Sequence, residues 1–76
     1  MSTLIKSRGD LLCVNPNDPR EIHYSEDGRN WKRLHRFDDD IIDILDDDGV
    51  ELLVITSGGE LLVSSDGRNW KRLHRF

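Results

Sequence analysis

The sequence predicts an all-β fold built from two four-stranded antiparallel meanders. Residues 27–37 and 66–76 are identical and read DGRNWKRLHRF, so the chain contains an internal repeat. Apolar runs of strand length are separated by turn-forming residues every 8–10 positions. Stretches without a breaker are too short to favour helices. These three observations together indicate short strands joined by tight turns.

The repeat divides the chain into two units, which we call unit 1 (residues 1–37) and unit 2 (residues 38–76). Upstream of the identical segment, residues 9–14 match residues 50–55 in pattern, and residues 21–25 match residues 60–64. We expect the two units to form one structural domain, because the chain is too short for two independent cores. Eleven identical residues beside diverged flanks indicate a recent duplication or a deliberately built chain.

Unit 2 has the clearer strand pattern. We predict its strands at residues 41–45, 51–56, 60–64 and 69–76, with turns at 46–49, 57–59 and 65–68. Unit 1 repeats this order, beginning with a strand at residues 3–7. Its central connection, residues 15–20, contains two prolines and is predicted to be a loop.

The spacing of Trp31, Leu34 and Phe37 breaks the two-residue period of a strand. All three are large and apolar, yet they lie three positions apart. This spacing predicts either a β-bulge in the fourth strand or a strand that ends near Arg33.

Composition excludes several classes of protein. The 76 residues carry a net charge of −4, which makes nucleic acid an improbable general partner. Cys13 is the single cysteine, so a disulfide framework is excluded, and no apolar run reaches membrane-spanning length. The amino terminus has no apolar signal-peptide core, and we therefore expect a cytoplasmic location by default.

The segments before each tryptophan resemble a known motif. Residues 25–31 read SEDGRNW and residues 64–70 read SSDGRNW, a pattern similar to the Asp-box of sialidase-type β-propellers. The resemblance implies that each unit is a four-stranded propeller blade. It also implies structural roles in the turn, or in packing for the tryptophans, for Ser25, Asp27, Gly28, Trp31, Ser64, Asp66, Gly67 and Trp70.

Two blades are too few to close a propeller, which needs about four to eight. Repeat units bury their apolar faces only against neighbouring units. The resemblance therefore implies that the chain binds copies of itself. A homo-oligomer, either a trimer with six blades or a tetramer with eight, is then favoured.

Charge is distributed unevenly along the chain. Eight of the eleven basic residues lie in the two identical segments, and seven of the fifteen acidic residues lie between positions 38 and 48. We therefore expect the basic strand of unit 1 to pair with the acidic segment that follows it. The acidic segment itself is interpreted as a solvated turn, with a calcium site as the less favoured alternative.

The leading functional hypothesis is a non-catalytic scaffold that self-assembles, with no cofactor, no metal and no catalytic residue. The competing hypothesis is a glycan- or polyanion-binding module. Its possible contacts are Arg29, Lys32, Arg33, Arg68, Lys71 and Arg72. An enzyme is not expected, since no nucleophile–base pair or metal spacing is present, and His23, His35 and His74 are interpreted as ordinary strand histidines.

Overall fold

A computed structural model of the chain describes residues 3–76 and contains two four-stranded antiparallel sheets. Each sheet is a meander in which sequence neighbours pair. The strands of unit 1 are β1 (Leu4–Ser7), β2 (Asp10–Val14), β3 (Glu21–Ser25) and β4 (Lys32–Arg36). The strands of unit 2 are β5 (Ile41–Asp47), β6 (Glu51–Thr56), β7 (Glu60–Ser64) and β8 (Lys71–Arg75). The predicted all-β fold with two such sheets is confirmed.

Two strand boundaries differ from the prediction by two residues: β8 begins at Lys71 rather than at residue 69, and β5 ends at Asp47 rather than at residue 45. Asp46 pairs with Leu52 and Asp47 pairs with Glu51, so both aspartates belong to β5 rather than to a turn. The turn follows at residues 48–50, where Asp48 and Gly49 have φ angles of 49° and 76°. The sequence misplaced this boundary because aspartate is uncommon in strands, and its pairing here is set by the neighbouring apolar strand.

The fourth strand of each unit contains a β-bulge. In unit 1, His35 pairs with Ile22 while Arg33 pairs with His23, so Leu34 has no partner of its own. The register shifts at the equivalent place between β7 and β8. The bulge predicted from the three-residue spacing is therefore confirmed, and β4 continues to Arg36 rather than ending near Arg33.

Each sheet has two faces with different surroundings. Leu11 pairs with Ser25 and Leu52 pairs with Ser64, so these leucines occupy the same position in the two units. We call the face that carries them the front face and the opposite face the rear face. The front face of unit 2 also carries Ile44 and Val54, because successive strand residues alternate between faces.

The core lies where the rear face of unit 1 packs on the front face of unit 2. We call this contact the internal junction. Its buried residues from unit 1 are Leu12, Val14, Ile22 and Phe37. Its buried residues from unit 2 are Ile41, Ile44, Leu52 and Val54. Unlike faces therefore meet, so the contact is heterologous.

Close approach at the internal junction requires a glycine. A Cβ atom built on Gly67 would lie 2.6 Å from Cδ2 of Leu34, which is closer than packed carbon atoms can sit. Phe37 packs edge-on against Trp70, with ring centroids 5.0 Å apart. The bulged Leu34 thus packs directly against the turn at Gly67, and the Phe37–Trp70 pair packs next to this contact.

An arginine of the β1–β2 turn also joins the two units. Nε of Arg8 donates a hydrogen bond to the carbonyl of Gly49 at 2.8 Å, and Nη2 donates to the carbonyl of Val50 at 2.7 Å. Nη1 donates to the carbonyl of Ser65. One guanidinium therefore binds three backbone carbonyls of unit 2, and we call this contact the Arg8 clasp.

The basic strand of unit 1 forms its ion pairs within its own unit. Arg33 lies 3.4 Å from Glu21, and Arg36 pairs with both Asp18 and Glu21. The predicted pairing of this strand with the acidic segment is therefore wrong for these two arginines. The segment contributes a different pair, between Arg20 and Asp40 at 3.6 Å.

Truncating Phe37 tests the internal junction. Phe37 is 7% exposed, so we expect Phe37→Ala to lower the free energy of unfolding by about 3–5 kcal/mol, measured by urea denaturation. Val50→Ala is the control, because Val50 is 66% exposed and should change that free energy by less than about 0.5 kcal/mol. Equal effects in the two variants would contradict the described core.

Candidate functional site

The turn between β3 and β4 is held by the side chains of Ser25 and Asp27. The backbone N–H of Gly28 donates to Oγ of Ser25 at 2.8 Å, and this hydroxyl donates to Oδ1 of Asp27 at 3.0 Å. The same carboxylate oxygen accepts the N–H groups of Arg29 and Asn30 at 2.8 and 3.0 Å. The turn therefore satisfies its backbone donors with its own side chains.

The turn between β7 and β8 repeats this geometry. Oδ1 of Asp66 accepts the N–H groups of Arg68 and Asn69 at 2.8 and 2.9 Å. In both units the indole N–H of the tryptophan donates to the glycine carbonyl three residues earlier, at 3.0 and 2.8 Å. The identical segments thus adopt the same local structure in two different surroundings.

Hydrogen bonding makes the two turn aspartates stronger acids. The N–H groups of Asn30 and then Arg29 lower the pKa of Asp27 from 3.8 to about 2. The equivalent donors, Asn69 first and then Arg68, also lower the pKa of Asp66. Because the donors favour the ionised carboxylate, each aspartate acts as a fixed acceptor that holds the turn.

The two tryptophans differ in burial. Trp70 packs against the core from the front face of unit 2. Trp31 has the same position in unit 1 but is 37% exposed, so the packing expected of both tryptophans is less complete for Trp31. The reason is that unit 2 has unit 1 stacked on its front face, whereas the front face of unit 1 is uncovered.

Among residues 3–76, two apolar sheet faces have no other part of the chain packed on them. The rear face of unit 2 leaves Leu45, Leu73 and Phe76 exposed by 57%, 58% and 73%. The front face of unit 1 leaves Leu4 exposed by 58%, and its open depression of about 550 Å³ is bordered by Trp31. Sequence reasoning predicted unburied faces in general but did not place them on these residues.

The six predicted polyanion contacts are all on the surface. These exposed residues are Arg29, Lys32, Arg33, Arg68, Lys71 and Arg72. Arg33 and Arg72 each lie 3.4 Å from a glutamate of the adjacent strand, Glu21 and Glu60. The Arg68 guanidinium lies over the ring of Tyr24, 5.8 Å from its centroid, and so links the two units.

The histidines and the cysteine have structural surroundings. Nε2 of His23 lies 3.0 Å from Glu21, and this contact is the largest cause that lowers the pKa of that carboxyl to about 2. His35 packs 4.6 Å from Phe37, and burial lowers its pKa. Burial likewise raises the pKa of the Cys13 thiol, which disfavours the reactive thiolate. His74 repeats the aromatic contact, 4.7 Å from Phe76.

Within residues 3–76, no three His, Cys, Asp or Glu side chains are grouped so that they could hold a metal ion. The same part of the chain contains no helix long and apolar enough to cross a membrane. No protein-family model matches the chain, and comparisons with curated proteins and with solved structures find no significant match. The uncovered faces and the two turns are therefore the features of this chain that indicate a function.

Neutral replacements of the two turn aspartates test their role in acid stability. Because the folded pKa of Asp27 lies below the unfolded value, its stabilising effect is complete above 3.8 and is lost as pH falls towards about 2. We expect Asp27→Asn/Asp66→Asn to reduce the slope of unfolding free energy against pH in this window, measured by urea denaturation. Some slope should remain, since the pKa of Glu21 is also lowered. An unchanged slope would contradict the hydrogen-bonded turns.

Proposed function

We propose that the chain is a non-catalytic repeat scaffold that assembles with copies of itself into a closed ring of propeller blades. The observation that carries this proposal is that each unit leaves one apolar face uncovered. Stacking of a rear face on a front face already builds the core within the chain. The uncovered rear and front faces could bury each other in the same way, but only between two chains.

The turn geometry supports the Asp-box interpretation and hence the blade interpretation. In both turns a serine hydroxyl and an aspartate carboxylate bind successive backbone N–H groups, and a glycine with φ of 81° follows the aspartate. The indole N–H of the following tryptophan then donates a hydrogen bond to the carbonyl of that glycine. Agreement with the turn roles that the resemblance implies for the serines, aspartates and glycines supports this interpretation. The turns hold the strands in place and carry out no chemistry in this proposal.

Exposure of matched residues supports assembly. Phe37 and Phe76 end identical segments, yet Phe37 is 7% exposed and Phe76 is 73% exposed. Burial of apolar surface stabilises a contact by about 25 cal/mol per Å² removed from water. An exposed phenylalanine beside the exposed leucines of the rear face therefore favours association. Heterologous contacts close into rings when the rotation between copies permits it. Three or four copies would supply six or eight blades.

The mass in solution tests self-assembly. We expect light scattering after gel filtration to give one species at three or four times 8.8 kDa. Dilution should dissociate this species into folded single chains, because each chain keeps its internal junction without neighbours. A single 8.8 kDa species at every concentration would refute the proposal.

A polyanion-binding surface is the second candidate function. It is favoured by the exposure of the six basic residues named above, which belong to the identical segments. A scaffold without this activity should show no saturable binding to heparin at physiological salt, measured by titration calorimetry. Saturable binding that weakens with salt and is lost in Lys32→Ala/Lys71→Ala would favour the polyanion-binding surface instead.

A further inference from the structure

We propose that the rear face of unit 2 docks on the front face of unit 1 of a second copy, in the arrangement that the internal junction has within one chain. This inference rests on the proposed self-assembly and specifies its contact. The occupant of each uncovered face is thus a second copy of this chain, joined head to tail. The internal junction serves as the template, because both of its halves have counterparts on the uncovered faces.

The rear face of unit 2 preserves the apolar character of the rear face of unit 1. Pairing registers match Leu53 with Leu12 and Leu61 with Ile22. The identical segments match Leu73 with Leu34 and Phe76 with Phe37. The bulge that presents Leu34 recurs at Leu73. Val14 likewise matches Ile55, so each buried apolar side chain that unit 1 contributes to the internal junction has an apolar equivalent in unit 2.

The front face of unit 1 offers the corresponding seat. At Gly67 the internal junction places Leu34 2.6 Å from where a Cβ would be, which shows how closely a bulged leucine approaches this glycine. Gly28 is the same position in unit 1, and the nearest atom to its built Cβ is Leu11 of its own unit at 3.4 Å. The space beside Gly28 is therefore free to accept Leu73 of another copy. Trp31 lies next to this space and could pack against Phe76 of that copy.

The contact between copies would lack the Arg8 clasp. Arg8 and Asp48 occupy the same turn position, with φ angles of 54° and 49°. The clasp carbonyls of Gly49 and Ser65 have counterparts at Gly9 and Glu26, whereas that of Val50 has none, because the β1–β2 turn is one residue shorter. A carboxylate cannot donate hydrogen bonds to them, so Asp48 makes the contact between copies weaker than the internal junction. His23 stands where unit 2 has Leu62, which reduces the apolar area further.

A mixing experiment tests the head-to-tail contact. Phe76→Asp disables the rear face of unit 2, and Trp31→Asp disables the front face of unit 1. Each variant alone should be monomeric at a concentration where the wild-type chain is fully assembled. Their equimolar mixture should form a heterodimer of twice 8.8 kDa and nothing larger, measured by sedimentation equilibrium.

The outcomes separate the inference from the proposed function. A wild-type chain that is monomeric refutes self-assembly and the inference with it. An assembling wild-type chain whose variants still associate alone, or whose mixture forms no heterodimer, refutes only the head-to-tail contact. Circular dichroism establishes that each variant is folded, and Leu4→Asp replaces Trp31→Asp if the latter is unfolded, since Leu4 is 58% exposed on the same face.

Asp48→Arg provides a gain-of-function test in the wild-type background. An arginine there should form a second clasp across the contact between copies and lower the concentration for half-assembly by about tenfold. The matched control is Glu51→Arg, which makes the same change of charge three residues away and should leave that concentration nearly unchanged. Equal shifts in the two variants, or none in Asp48→Arg, would contradict the proposed arrangement.

Discussion

The approach of a bulged leucine to a glycine is the contact on which the rest of the structure depends. Leu34 can reach Gly67 only because that residue has no side chain, and this approach brings Phe37 onto Trp70. The two sheets then bury a single core between unlike faces. The Arg8 clasp reinforces the same contact by binding backbone carbonyls at its edge. A small chain without disulfides thereby obtains one core from two thin sheets.

Heterologous stacking also explains why equivalent residues have unequal surroundings. The turn aspartates, the turn tryptophans and the final phenylalanines repeat in sequence and in local geometry. The burial of the tryptophans and the phenylalanines differs because each unit is covered on only one of its two faces. Trp70 and Phe37 are covered, whereas Trp31 and Phe76 are not. In the proposed assembly Trp31 and Phe76 would also be covered. The contact between copies would then repeat the rear-on-front packing of the internal junction.

Much of the fold could be predicted from the sequence because its signals are local. Glycine and proline positions marked the turns, and the spacing of Trp31, Leu34 and Phe37 indicated the bulge. The stacking of the sheets was not predictable, since alternation assigns residues to faces but does not say which faces meet. The Arg8 clasp was also missed, because its acceptors are backbone atoms distant in sequence. The contrast between Arg8 and Asp48 in matching turns was the available signal.

The identical fourth strands have a consequence for folding. β4 and β8 carry the same five side chains and pair with their neighbours in the same bulged register. The side chains of β4 and β8 therefore do not specify which of the two strands pairs with β3. The correct pairing is set by the short connecting turn, because this turn keeps β4 at a high local concentration near β3. Exchange of these strands within or between nascent chains is thus a kinetic trap inherent in the duplication.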